Sequence, residues 1–269
     1  MKELIPDWTR RLIPRGSPLW RPYSYGRRVW MRLRGAGEVA NQPEYVIHHT
    51  ILLPPQKAIY FFIPKVACSS VKFVLAQTLN LGMQGGDVVE EVHKIHFPTV
   101  PKYQVLTKYK DYFRFCFVRN PWDRLVSCYK DKINYTPGHV YERYNNPFVK
   151  YLTESGFFKP DMSFEDFVGV VCQIPDSHAE GHFRSQHLFV EDERGRLLVD
   201  FIGKFETMDR DFAAVKRRID LKGTVPHLRK TGHKPYWEFY NERTIEMVAQ
   251  RYQRDIQLFN FQFRPPETA

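Results

Sequence analysis

The sequence predicts an α/β fold, a parallel sheet flanked by helices, and two stretches carry that prediction: IYFFIPKVACSSVKFVLAQTLN (59–80) and FRFCFVRNPWDRLVSCYKDK (113–132). Each runs from a short apolar strand through a break into an amphipathic helix. Repeated strand-loop-helix units build parallel sheets whose functional loops lie at the strands' carboxyl ends. A third observation is composition. With 269 residues, 43% of them hydrophobic and 15% aromatic, the chain can bury a sizeable core, which excludes a disordered or collagen-like protein.

The elements follow in order. EYVIHHTILL (44–53) reads as a first strand and AIYFFI (58–63) as a second. After Pro64 the apolar positions Val71, Val74, Leu75 and Leu79 recur at helical spacing, predicting a helix over 69–81 that the glycines of GMQGGD bring to an end. Residues 87–111 read as loop and short helix, 113–118 as a strand, and the helix after it starts at Asn120, a good N-cap, with Pro121 at the first helical position and Asp123 placed to complete a box-like cap. The Tyr-, Asn-, Pro- and Gly-rich segment 134–160 reads as a long surface excursion. Beyond it come a helix at 163–174 capped by Ser163, a strand at 197–206, a helix over TMDRDFAAVKRRI, and a long C-terminal helix or kinked pair at 235–259. Residues 1–50 form a basic N-terminal extension and residues 51–269 one domain.

Forty Lys and Arg against thirty Asp and Glu give a net charge of +10, which favours an anionic partner such as nucleic acid, an anionic lipid, a polyanion or a nucleotide with several phosphates. Much of the excess lies in residues 1–34, where Arg10, Arg11, Arg15, Arg21, Arg27, Arg28, Arg32 and Arg34 alternate with Trp8, Trp20, Tyr23, Tyr25 and Trp30. That arm is a candidate for docking a membrane surface or a partner. The four cysteines are scattered without a C-x-x-C pair, so neither a disulfide framework nor a zinc site is expected. No apolar stretch approaches a secretory core or a membrane span. The protein is therefore expected to be soluble and cytoplasmic, peripheral to a membrane at most.

The first break resembles a phosphate loop without its glycines. Backbone N–H groups at a helix start attract anions, Ser69 and Ser70 add hydroxyl donors, and Lys65 can reach over the loop. The absence of G-x-x-x-x-G-K-[ST] excludes a Walker motif, and with it favours one phosphate-like group over the β and γ phosphates of ATP. In the second break Arg119 stands at the mouth of a helix, with Ser127 two turns further on, a combination suited to a second anion. Taken alone, each motif reads as readily as a capped structural helix. Together they place two anion sites at one end of one sheet, which suits a nucleotide phosphorylated at two positions.

IPKVACSSVK resembles the 5′-phosphosulfate loop, and FVRNPWDRLVSCYKDK the 3′-phosphate motif, of sulfotransferase family 2, the carbohydrate sulfotransferases that include chondroitin and dermatan 4-O-sulfotransferases. The resemblance continues through HFRSQ (182–186), DFIGKFETMDRDF (200–212), PHLRKTGHKPYWEFY (226–240) and RYQRDIQLFNFQF (251–263). It implies a P-loop NTPase-like fold and 3′-phosphoadenosine 5′-phosphosulfate (PAPS) as donor, with no metal. By position, Lys65, Cys68, Ser69 and Ser70 would hold the 5′-phosphosulfate, Arg119 and Ser127 the 3′-phosphate, and Lys230, Thr231 and Gly232 a further part of the nucleotide. Transfer to a hydroxyl also needs a base, for which His93 is the first candidate, His96 the second and His182 the third. The expected acceptor is a carbohydrate, a glycolipid headgroup or a hydroxylated small molecule, not nucleic acid. The competing reading is a non-catalytic module on the same fold that binds a polyanion or a membrane.

Overall fold

The computed structural model describes residues 49–82, 88–133, 158–159, 162–177, 179–223, 225–226 and 234–263. The basic arm, almost all of the 134–160 excursion, and Lys230, Thr231 and Gly232 lie outside the described residues. The chain divides into two compact bodies, one holding the described residues of 129–179 and the other those of 47–128 and 180–269.

The larger body is built on strands β1 (Thr50–Leu53), β2 (Ala58–Phe61), β3 (Phe113–Val118) and β4 (Phe201–Lys204), in the order β1-β2-β3-β4. The pairs β2/β3 and β3/β4 are parallel, as the two strand-loop-helix units predict. The edge strand β1 runs antiparallel to β2, so the sheet is mixed. The reason is the connection, Pro54–Lys57, which closes with Lys57 N–H donating to Pro54 O at 3.1 Å and is far too short for a parallel crossover.

Helix α1 (Cys68–Thr78) follows β2, and its residues Val71, Val74, Leu75 and Ala76 are buried. It stops at Asn80, in the left-handed conformation at φ 54°, with Leu81 N–H closing back onto Ala76 O at 2.9 Å. That terminating motif takes the place of the glycine stop expected after residue 81. Short helices α2 (Val88–Lys94) and α3 (Lys102–Val105) lead to β3, and α4 (Pro121–Lys132) follows it. Further along come α6 (His187–Val190), α7 (Met208–Ile219), α8 (Glu242–Arg251) and α9 (Gln253–Phe259), so the C-terminal segment is a pair broken at Tyr252.

Every side chain of β2 is buried, and Tyr60 stacks on Phe115 with ring centroids 5.1 Å apart. On β4, Gly203 is opposite Phe117, and a Cβ there would stand 2.5 Å from that ring. Only glycine lets the aromatic lie flat across the neighbouring strand. In the smaller body, α5 (Phe164–Gln173) begins as predicted, with Ser163 Oγ accepting from Asp166 N–H at 3.1 Å. There Tyr129 packs against Phe164 and Phe167 and donates to Met162 O at 2.8 Å.

Candidate active site

The loop from β2 to α1 turns with two non-glycine residues in the left-handed region, Lys65 at φ 69° and Ala67 at φ 49°. In a loop with glycines those conformations are free, whereas here each costs about 1 kcal/mol. No side chain caps α1, so the N–H groups of its first turn, at Cys68, Ser69 and Ser70, are presented as donors beside the Ser69 hydroxyl. His93, on α2, brings its Nε2 to 2.9 Å from Ser69 Oγ. The first candidate base and a residue of the first anion loop are thereby in contact. His96 is exposed and makes no hydrogen bond among the described residues.

The second loop meets the first through two arginines. Arg119 donates from Nη1 to Lys65 O at 3.1 Å, and Arg124 from Nε to Pro64 O at 3.0 Å. Arg124, 2% exposed, also donates to Arg184 O (2.7 Å) and Gly181 O (2.8 Å), tying the HFRSQ segment to the same loop. Burial pulls its guanidinium below the ordinary value, opposed by the charges of Tyr252, Asp255, Cys128 and Glu180. Its role was not read from the sequence, although its place in FVRNPWDRLVSCYKDK, the motif that carries the resemblance, was the available signal.

Arg119 is only 7% exposed. Its Nε and Nη2 form a bidentate pair with Asp123 at 2.7 and 2.9 Å, and the guanidinium lies over the Phe205 ring, 4.1 Å from its centroid. Asp123 is thus not the partner of the Asn120 N–H, as a capping box would require. Glu206 takes that N–H at 2.7 Å, while Asn120 Oδ1 caps Trp122 N–H at 3.1 Å. Burial raises the Glu206 carboxyl above the usual range, and its bond from Asn120 holds it back. Ser127, on the same helix, is buried at 7% exposed.

His182 is on the segment that Arg124 latches. Both its backbone N–H (2.7 Å) and its Nδ1 (2.9 Å) meet the Glu180 carboxylate. An ionised carboxylate can only accept, so Nδ1 carries the proton and Nε2 is the basic nitrogen. Behind the loop, His49 packs against Phe62 and Phe189 at 4.9 and 4.6 Å, and its Nδ1 is sealed from solvent without a hydrogen-bond partner among the described residues. Burial, helped by the cations Arg184, Lys72 and Lys102 and by His182, pushes its pKa down to about 3. Lys72, over the Phe62 ring at 3.9 Å, is likewise lowered by burial.

A family profile described as "Sulfotransferase family" matches residues 48–262, which takes in β1 to β4 and both anion loops. The chain belongs to the sulfotransferase family. Similar curated proteins are carbohydrate sulfotransferase 11 of Rattus norvegicus, 25% identical over 80% of this chain and 67% of its own length, carbohydrate sulfotransferase 14 of Danio rerio, 23% over 82% and 64%, and carbohydrate sulfotransferase 12 of Mus musculus, 24% over 81% and 61%. The chain therefore spans about two thirds of the length of these relatives. No solved structure matches it. An α/β sheet flanked by helices is the architecture this family membership requires, and membership makes the chain a sulfotransferase that uses a sulfuryl donor. The non-catalytic alternative is not favoured. Among the described residues no helix is long and apolar enough to cross a membrane.

Proposed function

We propose that this sulfotransferase moves a sulfuryl group from PAPS to a carbohydrate hydroxyl, on a saccharide, a glycolipid headgroup or a related hydroxylated molecule. One observation carries the reading: Arg119 and Arg124 of the second motif hydrogen-bond the carbonyls of Lys65 and Pro64 in the first, so two separate anion motifs form one constellation. A donor with phosphate at both ends of its ribose is the ligand that uses both. The names of the similar carbohydrate sulfotransferases support the acceptor class.

In this mechanism the first-turn N–H groups of α1, with Ser69 and Ser70, hold the 5′-phosphosulfate, and Arg119 and Ser127 the 3′-phosphate. Cys68 contributes its backbone N–H. The acceptor oxygen attacks sulfur in line, the bond from sulfur to the bridging oxygen breaks, and its electron pair passes to the departing 3′-phosphoadenosine 5′-phosphate (PAP). Lys65 stabilises the charge that grows on that bridging oxygen. His93, held beside the loop by Ser69, takes the acceptor proton. Lys230, Thr231 and Gly232 complete the nucleotide site. One domain after a basic extension that contacts a membrane surface from the cytoplasm is the organisation that goes with this reading.

Calorimetric titration with PAP, ATP and AMP, on wild-type protein and Arg119→Ala, tests the donor assignment. Tighter binding of PAP than of AMP, with that preference falling in the variant, is the expected result. Equal affinity for PAP and AMP in the wild type would sink it.

A further inference from the structure

Arg119 follows the last residue of β3, and the β3/β4 ladder ends one residue earlier, at the pair Val118 and Lys204. Its backbone is therefore beyond the reach of a strand neighbour. The side chain of Gln186 takes that neighbour's place: Oε1 accepts from Arg119 N–H at 2.9 Å and Nε2 donates to Arg119 O at 2.8 Å. A carboxamide has the same donor and acceptor as a peptide group, so a single residue reproduces the two bonds of a sheet partner. Gln186 is itself completely buried.

Gln186 is held in turn. Asp255, in the first turn of α9 and 0% exposed, accepts from Gln186 N–H at 2.7 Å, from His187 N–H at 2.8 Å and from His187 Nδ1 at 2.8 Å. A buried carboxylate is costly unless several donors satisfy it, and three N–H groups do so here. The root of Arg119 is thus fixed from α9 through Gln186, and its tip by Asp123, Phe205 and the Lys65 carbonyl.

We infer that Gln186, locked by Asp255, is a positioning residue for donor recognition: it sets the direction in which Arg119 presents its guanidinium to the 3′-phosphate. This rests on the donor reading proposed above. A latch that served folding alone would affect every nucleotide alike. A latch that aims Arg119 affects only those carrying the 3′-phosphate.

The test is calorimetric titration of the full chain with PAP and with AMP, in the wild type, Gln186→Glu, Gln186→Leu and Asp255→Asn, alongside a core truncation elsewhere, Val215→Ala. Gln186→Glu keeps the shape and the acceptor but turns a second oxygen on the Arg119 carbonyl. It should weaken PAP binding about tenfold and leave AMP affinity almost unchanged, as expected when a binding group is displaced by a fraction of an ångström. Gln186→Leu should lose more, and Asp255→Asn should shift PAP in the same direction by less. Val215→Ala should lower the melting temperature and keep the wild-type ratio of PAP to AMP affinity. A folded Gln186→Glu with the wild-type ratio overturns the inference, as does the same fall of that ratio in Val215→Ala. A wild type that fails to distinguish PAP from AMP overturns the donor reading, and this inference with it.

Discussion

The two loops at the carboxyl edge of the sheet share one plan and are finished differently. The loop before α1 leaves the helix start without a side-chain cap and holds Lys65 and Ala67 in the left-handed region. The loop before α4 is braced by the protein itself, with Asn120 capping Trp122, Glu206 on the Asn120 N–H, Gln186 on the Arg119 backbone and Asp123 on its guanidinium. One loop keeps its donors available and accepts backbone strain to do so. The other uses its hydrogen bonds to hold a cation in a fixed place. The first is suited to charge that moves during reaction, the second to charge that only has to be recognised. Substitutions in the first should therefore appear in turnover, and substitutions in the second in donor affinity.

The largest effect should come from the histidine at the first loop. His93→Ala should lower single-turnover sulfuryl transfer by about 10²- to 10⁴-fold while PAP affinity stays close to wild type. His182→Ala is the control arm, and if it shows the greater loss, the Glu180–His182 pair is the base. Next in size is Lys65→Ala, expected to reduce turnover by about 10²- to 10³-fold, the cost of removing one group that stabilises developing charge. A loss confined to PAP affinity would place Lys65 with the second loop and erase the distinction.

The same contrast explains what the sequence made legible. Both strand-loop-helix units could be read because strand, break and helix lie within about twenty residues and each leaves a local pattern. Ser163 and Asn120 were readable as caps for the same reason. The braces of the second loop were not, since Gln186 is 67 residues from Arg119 and Glu206 is 86 from Asn120. Asp255 reads locally as one more acidic residue in a charged helix, and its burial depends on the folding of everything between. The antiparallel edge is different: the four residues between β1 and β2 were a visible signal, because a connection so short permits only a hairpin. The stop at Asn80 is likewise a local signal, an asparagine two residues before the glycine that was expected to do the work.

Arg119→Ala should weaken PAP binding by about 10- to 100-fold, the range for a charge-assisted hydrogen bond, and leave AMP binding near wild type. An equal loss for both nucleotides would show that the variant disturbs the first loop through the Lys65 carbonyl, coupling the two loops more tightly than a division of labour between them allows.

His49, which forms part of the support behind the first loop, gives a pH-dependent test of that side. Its pKa is about 3 in the folded chain against 6.5 for the ordinary group, so between those values the unfolded state takes up a proton that the folded state refuses. Stability is full above about pH 6.5 and falls as pH drops, by at most about 1.4 kcal/mol per unit, or tenfold in the folding equilibrium. Urea midpoints between pH 7 and pH 5 should show the decline in the wild type and a flatter profile in His49→Phe. Parallel profiles would mean that the loop's support does not exclude the proton.

The smallest expected effect carries the opposite sign. Asp123 holds the Arg119 fork at 2.7 and 2.9 Å, and its carboxylate stands where it both aims the cation and repels an incoming phosphate. Asp123→Asn keeps an oxygen for one of the two bonds and removes the charge. If repulsion outweighs aiming, PAP affinity should rise by about threefold, a modest gain because charges even at largely buried sites act through an effective dielectric of about 20. Calorimetry at low and high salt would read it, with the gain shrinking as salt screens the donor's charge. A fall in affinity would instead make Asp123 a strut of the same kind as Gln186. The second loop would then be rigid from root to tip, with recognition depending on geometry more than on net charge.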